Sequence, residues 1–132
     1  MESHRELFET YRRDVYRTCY FMLHDAADAE DLTQEVFMTL FRQNRENVEH
    51  MKAWIMRITV NLCLNYMRRR RSLERKISAN PSLFAASEGR AVDQQVEEKE
   101  SAEELAMLMN SLPAKIRAVL LLRYMHDFSF RL

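Results

Sequence analysis

The chain has 132 residues, and its 20 lysine and arginine residues balance its 20 aspartate and glutamate residues, so the formal net charge is zero. Hydrophobic residues make up 47% of the chain and charged residues 30%, which is typical of a soluble globular protein with a buried core. One glycine and two prolines leave few positions for tight turns. Together with long periodic apolar segments, this composition predicts an all-α fold.

Membrane-spanning, disulfide-stapled and catalytic classes find no support in the residue pattern. Cys19 and Cys63 lack a CxxC-type neighbour, and no apolar run approaches the ~20 residues that cross a bilayer, so we expect a cytoplasmic protein. No glycine-rich phosphate loop or nucleophile motif occurs, so no enzyme, cofactor or small-molecule substrate is expected. The histidines show no metal-ligand spacing. They are His4, His24, His50 and His126.

The amino-terminal part of the chain predicts two amphipathic helices joined by the polar run 24–28. Asp25 or Asp28 is expected to cap the second helix. Polar residues of the second helix, Asp31, Gln34 and Glu35, lie off its apolar stripe and taken alone usually indicate a solvated face. The apolar residues of the first helix are Leu7, Tyr11, Val15, Cys19, Met22 and Leu23. Those of the second helix are Ala29, Leu32, Val36 and Leu40, widened by Phe37 and Phe41.

A third helix is predicted from about Lys52 into the arginine tract 68–71, after the polar connection 43–49. Trp54 is interpreted as core, and a stacking platform for an unpaired base is the alternative. Asn61 lies in an otherwise apolar segment, where a buried amide needs a neighbouring backbone group or another partner. The residues expected in the core are Trp54, Ile55, Ile58 and Leu62. Those expected on other faces are Arg57, Asn61, Asn65 and Arg68.

Charge is distributed unevenly along the chain. Seven basic residues and one acidic residue lie between positions 57 and 76, whereas seven acidic and two basic residues lie between positions 88 and 104. Cations at the end of a helix can stabilise its dipole and keep a protein soluble, but four consecutive arginines are more than these roles require. An ordered helix that ends in such a tract favours contact with nucleic-acid phosphates.

The carboxy-terminal part of the chain predicts a linker followed by further helices. Periodicity fails between positions 78 and 95, which indicates a domain boundary. Helical character resumes by Glu97, and Pro113 is expected in the first turn of another helix. The buried positions expected in the first of these helices are Leu105, Leu108, Met109 and Leu112. The apolar residues of the second, which we expect to be incompletely covered, are Ile116, Val119, Leu120 and Leu122.

Three segments, 27–37, 52–61 and 65–69, resemble in order and spacing the promoter-melting domain of extracytoplasmic-function (ECF) sigma factors. Segment 112–124 resembles the opening of the second domain of that family. The resemblance implies a sigma-2 domain over residues 1–76, a linker over 77–96, and the amino-terminal part of a sigma-4 domain over 97–132. The chain stops before a recognition helix, so we expect no reading of the minus-thirty-five element.

The resemblance also implies a function and its residues. The function it implies is that of a bacterial alternative sigma factor, which directs core RNA polymerase to promoters and opens the minus-ten element. In that family the Asn that matches Asn61 lies beside a pocket that receives an extruded base. The family usually has Asp where this chain has Asn65. The residues expected to dock on the clamp coiled coil of the largest polymerase subunit are Asp31, Gln34, Glu35 and Met38. Those expected to contact promoter DNA are Arg57, Asn61, Asn65, Arg68, Arg69 and Arg71.

A second hypothesis is an interaction module that is held silent by an anti-sigma factor. Nine methionines and the apolar carboxy-terminal helices suit a surface that packs against helical partners. Both hypotheses can hold for one protein. Binding of the purified chain to core RNA polymerase distinguishes them.

Overall fold

The computed structural model describes residues 3–79 and 100–125, and these residues form helices joined by short connections. A five-residue π-helical turn, Leu121–Met125, directly follows the last α-helix. No strand occurs in the described ranges, and the expected all-α fold is confirmed. The α-helices are α1 (His4–Leu23), α2 (Ala26–Arg42), α3 (Met51–Ala79), α4 (Glu100–Asn110) and α5 (Ala114–Leu120).

Local hydrogen bonds set the ends of α1 and the start of α2. Ser3 and Glu6 form a capping box, in which the Glu6 N–H donates to the Ser3 hydroxyl oxygen at 3.1 Å. Helix α1 ends where His24 adopts φ 55°, in the left-handed region that few non-glycine residues occupy. Asp25 then caps α2 by accepting from the Asp28 N–H at 2.9 Å. Of the two residues expected as the cap, the structure therefore selects Asp25.

Helices α1, α2 and α3 share one hydrophobic core. The predicted apolar stripes of α1 and α2 supply fully buried residues such as Leu7, Val15, Val36 and Leu40. Helix α3 adds Ile55, Met56, Val60 and Cys63. Trp54, Ile58 and Leu62 are partly buried and pack against this core, which confirms the interpretation of Trp54 as a core residue. Two buried hydroxyl groups are also satisfied: Thr18 donates to the Asp14 carbonyl and Thr59 to the Ile55 carbonyl, both at 2.8 Å.

A partly buried ion pair joins the basic half of α3 to the first turn of α2. The Asp28 carboxylate is buried, and Arg70 Nη1 lies 3.0 Å from Asp28 Oδ2. Arg70 Nε also lies 3.7 Å from Glu74 Oε1, one turn further along α3. Because a buried carboxylate without a partner is costly, this contact stabilises one rotational setting of α3.

The carboxy-terminal helices pack against α1 and α3. Ala106 and Met109 of α4, with Ala118 and Leu121, join the same core cluster as the first three helices. The expected burial of Leu105 and Leu108 is wrong, since their side chains are 48% and 67% exposed. The reason is that a different face of α4 packs against the core. This face contains Ala106 and Met109, both of which are buried.

Other expectations about this region have mixed outcomes. Met109 is buried and Leu112 is partly buried, and Pro113 is the residue that immediately precedes α5. Ile116 and Val119 are about half exposed, as expected for incomplete coverage, whereas Leu120 and Leu122 are partly buried.

The boundaries expected for the linker are partly outside the described ranges. Helix α3 continues to Ala79, so the expectation that periodic structure fails at position 78 is wrong there. The resumption of helix at Glu97 lies outside the described residues. None of the helices in the described ranges combines the length and apolar character needed to span a membrane.

A buried arginine connects α5 to the end of α1. Arg117 is 4% exposed, and its guanidinium donates to the Met22 carbonyl of α1. It also donates to the Asn110 carbonyl at 3.2 Å and to the Leu112 carbonyl at 2.8 Å, both at the α4–α5 connection. Burial lowers the pKa of Arg117 from its usual range. The cation satisfies carbonyls at helix ends, where the macrodipole is negative.

The Arg70–Asp28 pair leads to a stability prediction. Arg70→Gln leaves the Asp28 carboxylate buried without this cation, so the free energy of unfolding should fall by about 1–2 kcal/mol. Urea denaturation followed by circular dichroism measures the change. Arg69→Gln, at an exposed position one residue earlier in α3, is the matched control and should change stability by less than about 0.5 kcal/mol. Equal effects of the two variants would contradict the structural role of Arg70.

The Arg117 contacts lead to a second prediction. Arg117→Met keeps an apolar stem of similar length but leaves three carbonyl groups without their donor, so local stability of α4 and α5 should fall by about 2 kcal/mol. Hydrogen exchange should accelerate in residues 100–125 and stay unchanged in α2. Lys115→Met, at an exposed position of α5, is the control and should exchange like the unmodified chain.

Candidate nucleic-acid interface and helix-docking face

One exposed stripe of α3 carries the polar residues expected to contact DNA. Arg57, Asn61, Asn65 and Arg68 are all exposed and follow one another at steps of four, four and three residues. These steps keep the side chains on one side of a helix over about 16 Å of its length. The opposite side of α3 supplies Ile55, Met56, Val60 and Cys63 to the core. The stripe therefore faces outward because the apolar face of α3 is occupied.

The basic end of α3 forms an open groove of about 490 Å³. The groove is lined by Asn65, Arg68, Arg69, Arg71, Ser72 and Arg75. Its lining contains four guanidinium groups and no carboxylate. A concave surface of a single charge sign concentrates oppositely charged ligands, so this groove is suited to a phosphate backbone.

Asn65 orients one of these arginines. The Arg68 guanidinium donates to Asn65 Oδ1 across one turn of α3. The amide oxygen therefore supplies an acceptor, as the aspartate usual in the resembled family would. Because the amide is neutral, it leaves the positive charge of Arg68 uncompensated.

The arginine tract does not act as a single block of four cations. Arg68, Arg69 and Arg71 line the groove, whereas Arg70 turns toward α2 and pairs with the buried Asp28. The three residues of the tract 68–71 that were expected to contact DNA are thus the three that line the groove. Consecutive helix positions are rotated by about 100°, so four in a row cannot share one face.

Asn61 is exposed in the middle of the stripe. The structure places its side chain on the solvent side of α3, away from the core face as expected, so the amide bears no cost of burial. Among the described residues, its side chain has no hydrogen-bond partner. Both its donor and its acceptor are consequently available to a base edge.

Helix α2 presents a second surface, which we call the docking face, formed by Asp31, Gln34, Glu35 and Met38. All four side chains are exposed, and their spacing of three, one and three residues places them on one side of α2. Leu32 is buried behind them, as the sequence predicted. Met38 is 54% exposed, so the face combines acidic groups with an accessible, flexible apolar side chain. A surface that combines charged groups with an exposed apolar side chain favours binding to another protein over a role as a solvated helix face.

Cysteine and metal chemistry do not contribute to these surfaces. A hydrogen bond with the Cys19 side chain, together with burial, raises the pKa of the Cys63 thiol. Both thiols are buried, so neither is a reactive nucleophile. The described residues contain no group of three or more histidine, cysteine or acidic side chains able to hold a metal ion.

The sequence pattern did not reveal two tertiary contacts that hold the helices together. Asp28 was considered as a helix cap, and its pairing with Arg70 spans 42 positions. Arg117 reaches Met22 across 95 positions. Neither carries a local spacing signal, although an arginine within an apolar helical stripe could have suggested a buried cation.

Comparison with known proteins assigns the first three helices to a known protein family. The family model described as Sigma-70 region 2 matches residues 7–73, which cover just over half of the chain. The chain belongs to the Sigma-70 region 2 family. The match begins inside α1 and ends inside α3, so it includes both the docking face and the exposed stripe.

Curated relatives extend the similarity to nearly the whole chain. The ECF RNA polymerase sigma factor SigM of Bacillus subtilis is 27% identical over 128 residues, which cover 96% of this chain and 76% of SigM. The ECF RNA polymerase sigma factor SigE of Mycolicibacterium smegmatis is 31% identical over 132 residues. That alignment covers 98% of this chain but about half, 51%, of SigE. The resemblance to ECF sigma factors is therefore confirmed.

The geometry of region 2 predicts separate effects of the arginines on backbone affinity and of Asn61 on base reading. Replacing Arg68, Arg69 and Arg71 with Gln should weaken promoter binding by the polymerase complex on every sequence. Each lost phosphate contact should reduce the slope of log affinity against log salt by about 0.7 to 0.9. Asn61→Ala should instead lower discrimination at one minus-ten position by about 1–3 kcal/mol with an unchanged salt slope.

Promoter binding measured at several salt concentrations, with single-base variants of the minus-ten element, tests both effects. Arg5→Gln removes an exposed cation from α1 and is the control for the loss of charge. If the arginine and asparagine variants behave alike, the assignment of separate roles to the groove and to Asn61 is wrong.

Proposed function

We propose that this chain acts as an alternative sigma factor of the ECF type, which directs core RNA polymerase to promoters and opens the minus-ten element. The observation that carries the proposal is the pairing of two surfaces on one packed region 2 unit. The docking face on α2 and the cationic groove on α3 extend from helices that share a core. A protein partner held on α2 would therefore have a fixed position relative to DNA held on α3.

The docking face would bind the clamp coiled coil of the largest polymerase subunit. Asp31 and Glu35 offer carboxylates to basic side chains, while Met38 offers apolar contact. An interface of this kind gains specificity from charges at its rim and affinity from its buried apolar centre. The exposed Met38 lies on the same line of α2 as the two carboxylates, which supports a shared partner.

The exposed stripe of α3 would hold the separated non-template strand. Arg68, Arg69 and Arg71 would neutralise phosphates, and Asn61 would hydrogen-bond the edge of an extruded base. Arg57 would contact the backbone at the other end of the stripe. Strand opening would follow from tighter binding of the single strand than of the duplex, which offsets a few kcal/mol of unstacking. The polymerase, and not this chain, would carry out the covalent chemistry.

The domain organisation proposed from the sequence follows the same scheme. A sigma-2 domain would occupy residues 1–76, with a linker over 77–96 and the amino-terminal part of a sigma-4 domain over 97–132. Helices α4 and α5 belong to the last of these segments. In support, the Sigma-70 region 2 match ends at residue 73, before α4 begins.

A second candidate function is capture by an anti-sigma factor. The observation that favours it is a set of exposed large apolar side chains on the carboxy-terminal helices, which a helical partner could cover. The exposed residues are Leu105, Met107, Leu108, Ile116 and Val119.

Binding to core polymerase tests the proposed function and separates the two candidates. The unmodified chain should be retained by immobilised core RNA polymerase. Asp31→Ala combined with Glu35→Ala should weaken that binding by about tenfold or more, because two interface charges are lost without a change in the core of α2. Circular dichroism should show unchanged helicity.

The matched control removes two carboxylates from another surface. Glu46→Ala with Glu49→Ala changes exposed residues in the α2–α3 connection and should leave retention intact. Unchanged retention of the Asp31 and Glu35 double variant would exclude the docking role of α2. A chain that binds no core polymerase would leave the anti-sigma partner as the better proposal.

A further inference from the structure

A cleft between α3 and the start of α5 adjoins the cationic groove. Its volume is about 560 Å³, which is in the range of pockets that bind small ligands. The cleft and the groove share Arg68 and Arg71. Helix α3 also supplies Leu64 and Met67 to the cleft, and the α5 side supplies Pro113 and Lys115.

Both walls of the cleft belong to packed helices. The four residues of the α3 wall follow one another at steps of three, one and three within 64–71, which places them on one side of the helix. Helix α5 packs against α3, and the Arg117 guanidinium donates to the Leu112 carbonyl at 2.8 Å. The Arg117 N–H donates to the Pro113 carbonyl at 3.0 Å. Because these contacts hold the start of α5 in place, a ligand in the cleft would lose little affinity to the ordering of its walls.

Three cations and no carboxylate line the cleft. Arg68, Arg71 and Lys115 are exposed, and neither Arg71 nor Lys115 is paired with a carboxylate among the described residues. Guanidinium groups bind phosphate oxygens through two parallel hydrogen bonds, and an ammonium group adds a compact charge. Since the cations come from both walls, they are suited to a compact ligand that carries more than one phosphate.

The cleft also has an apolar part, formed by Leu64, Met67 and Pro113. Leu64 and Met67 are half-buried, so their accessible portions are turned toward the cleft. A flat ring system packs well on such side chains, and a methionine thioether makes favourable contacts with aromatic rings. An inorganic phosphate chain would leave this surface exposed to water, whereas the base of a nucleotide would cover it.

The construction of the cleft favours a nucleotide over a continuous DNA strand. The cationic groove is lined by α3 alone, whereas the cleft has walls from two helices and a limited volume. The lining of the cleft offers no carboxylate to coordinate Mg²⁺, so phosphate binding there would depend on the cationic side chains and not on a divalent metal.

We propose that the α3–α5 cleft is a binding site for a nucleoside diphosphate or triphosphate. Arg68, Arg71 and Lys115 bind the phosphates, and the apolar part of the cleft contacts the base. Binding requires only this chain, so the site does not rest on the proposed function.

A nucleotide in the cleft would connect region 2 to the carboxy-terminal helices, because its contacts come from both α3 and α5. It would also occupy two of the arginines that line the groove expected to bind DNA. Nucleotide and promoter DNA would therefore exclude each other, and this effect does rest on the proposed function.

Calorimetric titration of the purified full chain tests the site. ATP and GTP, each titrated at about 0.15 M salt in the presence of EDTA, should bind with a Kd of about 0.1 mM or lower. Lys115→Gln should weaken this binding by about tenfold, because it removes one charge-assisted phosphate contact, and Lys115→Arg should retain most of it. Lys76→Gln removes an exposed cation of α3 that lines neither the cleft nor the groove, and it is the matched control.

Two partial ligands separate recognition of charge from recognition of the base. Tripolyphosphate carries the phosphates without a base, and adenosine carries the base without phosphates. Each should bind at least about tenfold more weakly than ATP. Circular dichroism of every variant checks that its helicity is unchanged.

Hydrogen exchange locates the bound nucleotide. ATP should slow exchange in residues 64–71 and 113–120 and leave α2 unchanged. In the complex with polymerase, ATP should reduce promoter retention more for the unmodified chain than for Lys115→Gln. A chain that binds ATP in the cleft but binds no core polymerase would contradict the proposed function and leave the nucleotide site supported.

Four results would overturn the inference. The first is that ATP and GTP fail to bind at about 1 mM, and the second is that tripolyphosphate binds as tightly as ATP. The third is that Lys76→Gln weakens binding as much as Lys115→Gln does. The fourth is that ATP protects residues 68–75 without protecting 113–120, or that a single-stranded DNA oligonucleotide protects 113–120 as strongly as ATP, since the cleft would then not be a separate nucleotide site.

Discussion

The rotation of α3 about its own axis determines which residues the molecule presents to a partner. Ile55, Met56 and Val60 insert into the core shared with α1 and α2, and the pairing of Arg70 with the buried Asp28 holds the basic half of the helix in the same rotation. A rotation of one residue position, about 100°, would turn the exposed stripe toward α1 or α2. The outward direction of Asn61 and Arg68 is therefore a consequence of packing.

Zero net charge conceals surfaces of opposite sign that are held at fixed positions. The groove on α3 is lined by four arginines, whereas the docking face on α2 carries two carboxylates beside an exposed methionine. Because α2 and α3 contribute to one core, the arginines of the groove and the carboxylates of the docking face cannot move together and neutralise each other, as they could in a disordered chain. A molecule of this kind can attract DNA on one side and a protein on another.

The carboxy-terminal helices depend on a different interaction. Arg117 donates hydrogen bonds to carbonyl groups at the end of α1 and at the α4–α5 connection. Few apolar residues of α4 and α5 are fully buried. Tyr20 and His24 add contacts to Glu103 of α4: the Tyr20 hydroxyl donates at 2.8 Å, and His24 Nε2 lies 3.7 Å from a carboxylate oxygen. Burial, together with the hydrogen bond to Glu103, raises the pKa of Tyr20 to about 12. Polar contacts therefore add to the apolar burial of Ala106, Met109, Ala118 and Leu121 in holding this part of the chain to the bundle.

Periodicity predicted the three helices of region 2 and most of their buried faces, although Met56, Val60 and Cys63 of α3 are buried without having been expected there. Apolar residues at steps of three and four placed Val15, Val36 and Ile55 in the core, and the same steps placed Asp31 and Arg57 outside it. This works because a long amphipathic helix has one apolar face, and burying that face leaves the polar residues exposed. Family resemblance then supplied the roles expected of those exposed residues.

Contacts between residues that are distant in the sequence could not be predicted from helical periodicity. The separation of Arg70 from Arg68, Arg69 and Arg71, the burial of Arg117 and the exposure of Leu105 and Leu108 all depend on which helix lies beside them. Helix α4 has apolar residues on more than one side, so its pattern allows several buried faces, and α1 selects the side with Ala106 and Met109. Local spacing encodes the amphipathic faces of a helix, whereas the partner of each buried charge is determined by tertiary packing.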